Sequence, residues 1–333
     1  MSSNNSISIP ESSKVHEKYK VGRILGNGGM GVVCSVVPKN NPNVEYALKY
    51  RYNDFNETSK RRFLDEIKLL SKINSEHFPK LIDSYSDKNE QFYIMELVTG
   101  ETLKDLLRKN RQLNVATANN YIRQIADALG ELHSNGIIHR DIKSQNIMVQ
   151  NDFYIKILDL GISVSEDSHR YTKTNAIVCS PHYVAPEYLI KNSKITKAVD
   201  IYSLGILYYE MLIGDYPFEG KNETDTILMH KNNEFPNPKN YRDLPQSIAN
   251  IIIKATAKNP SHRHQTVWEF KEDVKTSLKD YRKLEKPISQ KTMKSKKTIV
   301  DIINSIWFMV GVLGFLVIIV ISIIIIGFTL GVL

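Results

Sequence analysis

The strongest indication of the fold of this chain is a single stretch, which reads Ile137-Ile-His-Arg-Asp-Ile-Lys-Ser-Gln-Asn-Ile-Met-Val149. Apolar residues flank a polar centre that consists of His139, Arg140, Asp141, Lys143 and Asn146. The flanks predict a buried frame, and polar side chains inside such a frame are costly unless they have partners or a task. From one loop, a carboxylate could accept a hydroxyl proton, an ammonium could neutralise phosphate and an amide oxygen could help to hold a metal ion. An ordinary buried turn with satisfied polar groups is the alternative, and the rest of the chain must decide between them.

A glycine run lies upstream of this loop and reads Gly26-Asn-Gly-Gly-Met-Gly-Val-Val33. It separates residues 19–25 from residues 32–37, and both segments have the Val and Ile content of β-strands. Glycine lets backbone N–H groups approach phosphate oxygens because it has no Cβ. A dinucleotide-binding turn would need a helix after the glycines, whereas the following segment is strand-like. The pattern therefore favours a strand, a glycine turn and a second strand.

Length and composition restrict the class of protein. The 333 residues suffice for two lobes, and the 44 Lys and Arg against 36 Asp and Glu give a net charge of +8. We expect no nucleic-acid partner, because no aromatic-interleaved basic motif or zinc-ligand spacing accompanies that charge. The two cysteines, Cys34 and Cys179, form no disulfide framework, which is typical of a reducing compartment. Residues 1–13 are polar and lack a signal-peptide core, so we expect residues 1–18 to be a disordered leader.

Four motifs occur in an order that resembles the protein kinase family. The loop reads H-R-D-x-K-x-x-N and the glycine run reads G-x-G-x-x-G-x-V. Asp159-Leu-Gly161 follows a predicted strand and resembles D-F-G, and Ala185-Pro-Glu187 matches A-P-E. Leu160 replaces the usual Phe, which keeps apolar packing but removes an aromatic ring, and its effect on the active–inactive balance is left open. The joint occurrence over residues 19–280 is far more specific than any single motif.

The resemblance implies an α+β, bilobal protein kinase fold. A small β-rich N-lobe would occupy residues 19–97 and a larger helical C-lobe residues 98–280. The change from strands to helices near residues 96–100 would be the hinge. In this family, ATP with Mg²⁺ (or Mn²⁺) is the expected cofactor, and protein Ser or Thr hydroxyls are the expected acceptors.

The resemblance also implies catalytic residues. Asp141 would orient or deprotonate the acceptor hydroxyl, and Lys143 would neutralise charge on the moving phosphoryl group. Lys49 would hold the α- and β-phosphates, oriented by Glu66 on the helical pattern of residues 60–73. Lys143 also favours Ser and Thr over Tyr as acceptors.

Further residues would surround the nucleotide and its metal. Asn146 and Asp159 would bind Mg²⁺. The glycine run would cover the phosphates with Gly26, Asn27, Gly28, Gly29, Met30 and Gly31. The adenine would lie between Leu25, Val33 and Ala47 above and Met148 below, with Met95 behind it and backbone groups of Glu96 and Val98 at its edge.

The segment after Asp159 would act as a switch. Thr172 and Thr174 resemble the autophosphorylated threonines of bacterial eukaryotic-like Ser/Thr kinases, and their phosphates would pair with Arg140. A solvated polar loop is the alternative. Ser180 stands where the family usually has Thr, and its hydroxyl would bond Asp141 and Lys143. By the same resemblance Glu187 would pair with Arg263, and Asp200 would brace the catalytic loop.

The C-terminal stretch predicts a membrane anchor. Residues 307–333 contain no charged side chain and are long enough to cross a bilayer, with a buried core helix as the alternative. The preceding residues 281–306 would be a basic juxtamembrane linker that places the kinase domain on the cytoplasmic side of the cell membrane. We expect a single span with no domain beyond it. Gly327 and Gly331 have the spacing of a helix-pairing motif, but coincidence is the better explanation of such a pair. A transient homodimer would instead be favoured by tethering in the plane of the membrane, which raises effective concentration.

Two other functions compete with that of an active protein kinase. A catalytically weak kinase-fold scaffold at the membrane is the first, but such proteins usually lack the strand Lys, the catalytic Asp or the metal Asp. A small-molecule phosphotransferase is the second, and the Ala-Pro-Glu segment with its acceptor loop argues against it. Physiological substrate and activating signal are not encoded in any of these motifs.

Overall fold

The computed structural model describes residues 9–28, 31–51, 57–151, 153–160 and 180–293, together with seven residues between 310 and 321. The chain divides into two units, residues 1–285 and residues 286–333. Within the first unit, a β-rich part precedes a helical part, as the bilobal fold requires.

A five-stranded antiparallel sheet forms the N-lobe, in the order β1-β2-β3-β5-β4. Its elements in chain order are helix α1 (Val15–Lys18), β1 (Tyr19–Gly28), β2 (Gly31–Pro38), β3 (Tyr46–Arg51), helix α2 (Glu57–Leu70), β4 (Leu81–Ser86) and β5 (Gln91–Glu96). The two strands predicted around the glycine run are thus present and pair with each other. Burial alternates along β4, so one face of this strand packs inward and the other meets solvent.

Residues 9–18 differ from the predicted disordered leader. Ile9 and Val15 are buried in an apolar cluster with residues of the sheet, including Leu48. The Ser13 hydroxyl donates a hydrogen bond to the Glu90 carboxylate, and the backbone N–H of Lys14 donates to the same group at 3.0 Å. The described part of the leader is therefore part of the N-lobe core.

Helices form most of the C-lobe. In chain order its elements are β6 (Glu101–Thr102), α3 (Leu103–Asn110), α4 (Val115–Ser134), β7 (Ile147–Val149), β8 (Ile155–Ile157), α5 (Ala198–Ile213), α6 (Glu223–Asn232), α7 (Gln246–Ala255) and α8 (Val267–Thr276). Helix α5 is mostly apolar and is buried over almost its whole length, Asp200 and Glu210 included. The apolar face of α4 is buried. Strands β6, β7 and β8 form a small antiparallel sheet beneath the N-lobe strands.

Local sequence signals fix the helix that precedes the catalytic loop. The Asn114 side chain caps the start of α4 by accepting a hydrogen bond from the backbone N–H of Thr117. After the helix, Gly136 has a φ of +75°, the left-handed conformation that glycine adopts readily. The loop from Ile137 onward therefore starts from a rigid base.

The predicted membrane-spanning segment, residues 307–333, lies mostly outside the described residues. The seven described residues of this stretch have helical conformation. No helix within the described part of the chain is both long enough and apolar enough to cross a bilayer.

Candidate active site

The H-R-D-x-K-x-x-N loop, residues 139–146 and called the catalytic loop here, is held in place by a buried carboxylate. Asp200, in the first turn of α5, accepts hydrogen bonds from the backbone N–H groups of His139 at 2.9 Å and Arg140 at 2.8 Å. The His133 ring contacts the same carboxylate at 2.8 Å. Burial alone would raise the pKa of Asp200, but the hydrogen bonds from His133 and Arg140 keep that pKa below its ordinary value. The predicted bracing of the loop by Asp200 is thus present.

Arg140 has a φ of +69°, which is strained for a residue with a Cβ. A conformation of this kind costs about 1–3 kcal/mol and persists only where surrounding contacts enforce it. The hydrogen bond from its N–H to Asp200 is one such contact. This contact fixes the backbone immediately before Asp141.

Four side chains meet where an acceptor hydroxyl would bind. Lys143 Nζ lies 2.6 Å from Asp141 Oδ2 and 2.9 Å from Ser180 Oγ. The Ser180 hydroxyl donates to Asp141 Oδ1 at 2.9 Å. The bonds predicted for Ser180 are therefore present, and its hydroxyl occupies the position where an acceptor could be deprotonated. Asn146 donates through Nδ2 to Asp141 Oδ2 at 3.0 Å, so its amide oxygen faces away from that carboxylate.

A second charged group forms between the sheet and α2. Lys49 Nζ lies 2.7 Å from Glu66 Oε1 and 3.3 Å from Asp159 Oδ1, so the predicted pair of Lys49 and Glu66 is present. Burial raises the pKa of Glu66 to about 7, against the opposing effect of the Lys49 ammonium. Burial would raise the pKa of Asp159 too, but Lys49 lowers it to about 2, which leaves a carboxylate. The Tyr93 hydroxyl also donates to Glu66 Oε1, at 3.1 Å.

Asn146 and Asp159 fit a magnesium site. The backbone N–H of Leu158 donates to the Asn146 carbonyl at 2.8 Å, which holds the segment before Asp159 against the catalytic loop. The Asp159 side chain remains 41% exposed and keeps a low pKa. A carboxylate and an amide oxygen are ligands that Mg²⁺ accepts, with the rest of its shell supplied by phosphates and water.

The residues predicted to surround the adenine lie on strands of both sheets and just after β5. Ala47 on β3 stands directly opposite Met95 on β5, and both are buried. Val98 is buried, Val33 and Met148 are half-buried and Leu25 is exposed. The apolar residues predicted above, behind and below the adenine are thus placed on the strands that border the cleft.

The glycine run is described only in part. Gly26, Asn27 and Gly28 end β1 and Gly31 begins β2, while Gly29 and Met30 lie outside the described residues. Gly31 has a φ of +145°, and a Cβ there would lie 2.0 Å from the Tyr50 carbonyl oxygen. Only glycine fits this position, because both the conformation and the space exclude a side chain.

The predicted pair of Glu187 and Arg263 is present and fully buried. The two terminal guanidinium nitrogens of Arg263 donate to the Glu187 carboxylate, each at 2.7 Å. The third nitrogen, Nε, donates to the Ala257 carbonyl at 2.8 Å. The Tyr202 ring lies 4.8 Å from the guanidinium carbon. This pair ties the end of the switch segment to the loop before α8.

Sequence reasoning missed a polar network beneath the acceptor site. Glu210 on α5 accepts hydrogen bonds from Ser144, from the Tyr183 hydroxyl and from Lys104, which also bonds the Tyr216 hydroxyl. Ser144 neighbours Lys143, so the network supports the catalytic loop from below. The signal that could have indicated it is a glutamate inside an otherwise apolar helix.

Thr172 and Thr174, the predicted phosphorylation sites, lie outside the described residues. The structure therefore gives no position for either threonine.

Comparison with known proteins agrees with this geometry. The protein kinase domain family model matches residues 19–307. The serine/threonine-protein kinase PrkC of Bacillus subtilis is 34% identical over 269 residues, which cover 80% of this chain and 41% of PrkC. The calcium/calmodulin-dependent protein kinase type 1 of Caenorhabditis elegans is 32% identical over 254 residues, or 75% of this chain and 72% of that protein. The chain thus spans about two fifths of the length of its bacterial relative.

Proposed function

The chain belongs to the protein kinase domain family as a eukaryotic-like serine/threonine kinase, and from this premise we propose that it transfers the γ-phosphoryl group of ATP to Ser and Thr hydroxyls of proteins. The observation that carries the proposal is the contact of Ser180 with both Asp141 and Lys143. A hydroxyl in this position has a base at one side and a cation at the other, as phosphoryl transfer requires.

In this mechanism each side chain has one task. Lys49, oriented by Glu66, neutralises the α- and β-phosphates, and the glycine run covers them. Asn146 and Asp159 supply the oxygen ligands that would hold Mg²⁺, which supplies charge neutralisation at the transferred group. Asp141 orients the acceptor hydroxyl and takes its proton, while Lys143 balances the negative charge of the moving phosphoryl group. Positioning and electrostatics therefore carry the catalysis.

The nucleotide contacts and lobe boundaries belong to the same proposal. Leu25, Val33, Ala47 and Met148 enclose the adenine, and the backbone of Glu96 and Val98 meets its edge. The N-lobe occupies residues 19–97 together with the packed residues 9–18, and the C-lobe occupies residues 98–280.

Autophosphorylation of the switch segment is a further part of the proposal. Phosphates on Thr172 and Thr174 would pair with Arg140 and order the segment through charge-assisted hydrogen bonds. Mass spectrometry of active protein tests this directly. Two unmodified threonines in fully active protein would contradict it.

Membrane attachment rests on the sequence of the C-terminal stretch. Residues 307–333 would span the cell membrane, and the basic residues 281–306 would bind anionic lipid on the cytoplasmic side. Anchoring in a plane raises the effective concentration of neighbouring copies and would favour a transient homodimer. Alkaline carbonate extraction of membranes tests the anchor: the full chain should stay in the pellet, and a chain without residues 307–333 should be released.

Labelling with γ-³²P-ATP tests the enzymatic proposal. The full chain should label a generic protein substrate such as casein in a Mg²⁺-dependent manner, and Asp141→Asn should reduce the rate by several orders of magnitude. Asn keeps the size and polarity of the side chain, so the two proteins should melt at similar temperatures. Equal labelling by both would favour the scaffold function instead.

A further inference from the structure

An ion pair links the last residue of β5 to the small sheet of the C-lobe, and the mechanism above does not use it. Lys156 Nζ contacts both carboxylate oxygens of Glu96, at 2.7 and 2.6 Å. The Lys156 side chain is 10% exposed and that of Glu96 is 33% exposed. The two residues are 60 positions apart and belong to different lobes. A pair this well enclosed is more strongly coupled than an exposed surface pair.

Both partners are held by the strands that border the proposed adenine pocket. Lys156 on β8 stands directly opposite Met148 on β7. Side chains of directly opposed residues lie on the same face of a sheet, so Lys156 rises beside Met148, the proposed floor for the adenine. Its ammonium extends from that strand to the Glu96 carboxylate at the end of β5.

Glu96 is fixed from the N-lobe side as well. Its backbone N–H donates to the Lys80 carbonyl at 2.9 Å, and the Lys80 N–H donates to Glu96 Oε2 at 3.3 Å. The carboxylate therefore lies between the backbone N–H of Lys80, the residue before β4, and the Lys156 ammonium. The ion pair therefore joins two sides of the proposed pocket. Lys156 lies beside Met148, the proposed floor, and Glu96 ends β5, whose backbone would meet the adenine edge.

We propose that Lys156 is a positioning residue for the adenine half of ATP. Its ion pair with Glu96 sets the spacing between the end of β5 and Met148, the proposed floor of the adenine pocket. The inference rests on the proposed nucleotide site and adds a residue to it. Lys49, Asp141, Asn146 and Asp159 lie at the phosphate end, and within the described part of the chain none of them contacts this pair. Loss of the ion pair should therefore weaken the binding of the adenine ring and leave the rate of phosphoryl transfer nearly unchanged.

Isothermal calorimetry on the full chain in detergent separates the two ends of the nucleotide. Lys156→Met removes the charge and keeps an unbranched apolar stem, and Glu96→Gln removes the other charge. Each variant should weaken ADP binding and raise the KM for ATP by about tenfold, the loss expected for one charge-assisted hydrogen bond, with kcat within about twofold of the parent. Inorganic triphosphate, which has no base, should inhibit parent and variants equally.

Two further variants make the measurement specific. The double variant Lys156→Met/Glu96→Gln should bind ADP no more weakly than the weaker single variant, because both substitutions remove the same contact. Lys254→Met is the matched control, since it breaks the exposed pair of Lys254 and Glu269. This control should leave ADP binding unchanged.

Three results would overturn the inference. Unchanged ADP affinity with a lower melting temperature would make the pair a stabilising contact only. Equal weakening of ADP and triphosphate would mean that the whole cleft has opened. Additive losses in the double variant would mean that the two side chains act separately. Because calorimetry needs no phosphoryl transfer, failure of the enzymatic proposal would be recognised separately, by ADP binding without labelling of protein.

Discussion

Tyr93 and Lys49 contact the same carboxylate oxygen, Glu66 Oε1, at 3.1 and 2.7 Å. Lys49 on β3 stands directly opposite Tyr93 on β5, so the register of the sheet places both side chains on the face that meets α2. The Tyr93 ring packs against Phe63 of α2, with ring centroids 5.3 Å apart. The orientation of Glu66 therefore depends on two donors.

Tyr93→Phe should reduce kcat by about tenfold, because a hydrogen bond to a charged group contributes about 1.5–3 kcal/mol. The phenyl ring keeps the contact with Phe63, so the melting temperature should stay close to that of the parent. Steady-state kinetics with a protein substrate measures the effect. A kcat equal to that of the parent would show that Lys49 alone positions Glu66.

Ser180 offers a test of the acceptor site. Ser180→Ala removes the hydroxyl that bridges Asp141 and Lys143, and kcat/KM for a protein substrate should fall by about tenfold or more while the KM for ATP changes little. Ser180→Thr keeps the hydroxyl and serves as the matched variant, with activity close to that of the parent. If the Ala and Thr variants lose equal activity, the side-chain volume matters and the hydroxyl does not.

The pair of Arg263 and Glu187 should dominate the stability of the C-lobe. Arg263→Met leaves a buried carboxylate without its cation, a change that costs about 3–5 kcal/mol. The same substitution at Lys254, in an exposed pair, should cost less than about 1 kcal/mol. Urea unfolding of the two variants measures the difference. Equal losses of unfolding free energy would contradict the importance assigned to burial.

His230 should make the fold sensitive to acid. Burial lowers the pKa of this ring from 6.5 to about 3, and the nearby Lys258 ammonium adds to the effect. Below about pH 6.5 the unfolded chain binds a proton here and the folded chain does not, so stability falls as the pH drops from 6.5 toward 3. Above pH 6.5 this residue contributes no pH dependence.

Between pH 7.5 and pH 5, the protonation of His230 in the unfolded chain should lower the free energy of unfolding by about 2 kcal/mol. His230→Gln should lower stability at pH 7.5, because the contact with the Tyr202 hydroxyl at 2.8 Å changes. The variant should nevertheless lose less stability than the parent on going to pH 5. Urea midpoints of both proteins at the two pH values provide the measurement, and parallel losses would contradict the assignment.

Contacts encoded in short motifs could be predicted from the sequence. The pairs Lys49–Glu66 and Glu187–Arg263 and the bracing by Asp200 were implied by the resemblance of their motifs to those of protein kinases. These side chains are charged and buried, so each needs one specific partner, and the motif supplies it.

Contacts that depend on the register between distant segments could not be predicted. The Tyr93 hydroxyl bond requires the pairing of β3 with β5, and the pair Lys156–Glu96 requires the position of one lobe relative to the other. Neither residue stands out in its own strand. The packing of Ile9 was missed for another reason: the apolar residues around it are few and stand in a polar stretch, too little for a clear periodicity.

Ile9 and Val15 share an apolar cluster with Leu48 and Tyr50, the two residues that flank Lys49 on β3. The family match begins only at Tyr19, ten residues after Ile9. A truncated protein cut at that boundary would lose two buried apolar side chains, each worth about 1.5–3 kcal/mol, from the cluster that packs against the strand carrying Lys49. The smallest part of this kinase that folds stably should therefore include residues 9–18, which precede the family match.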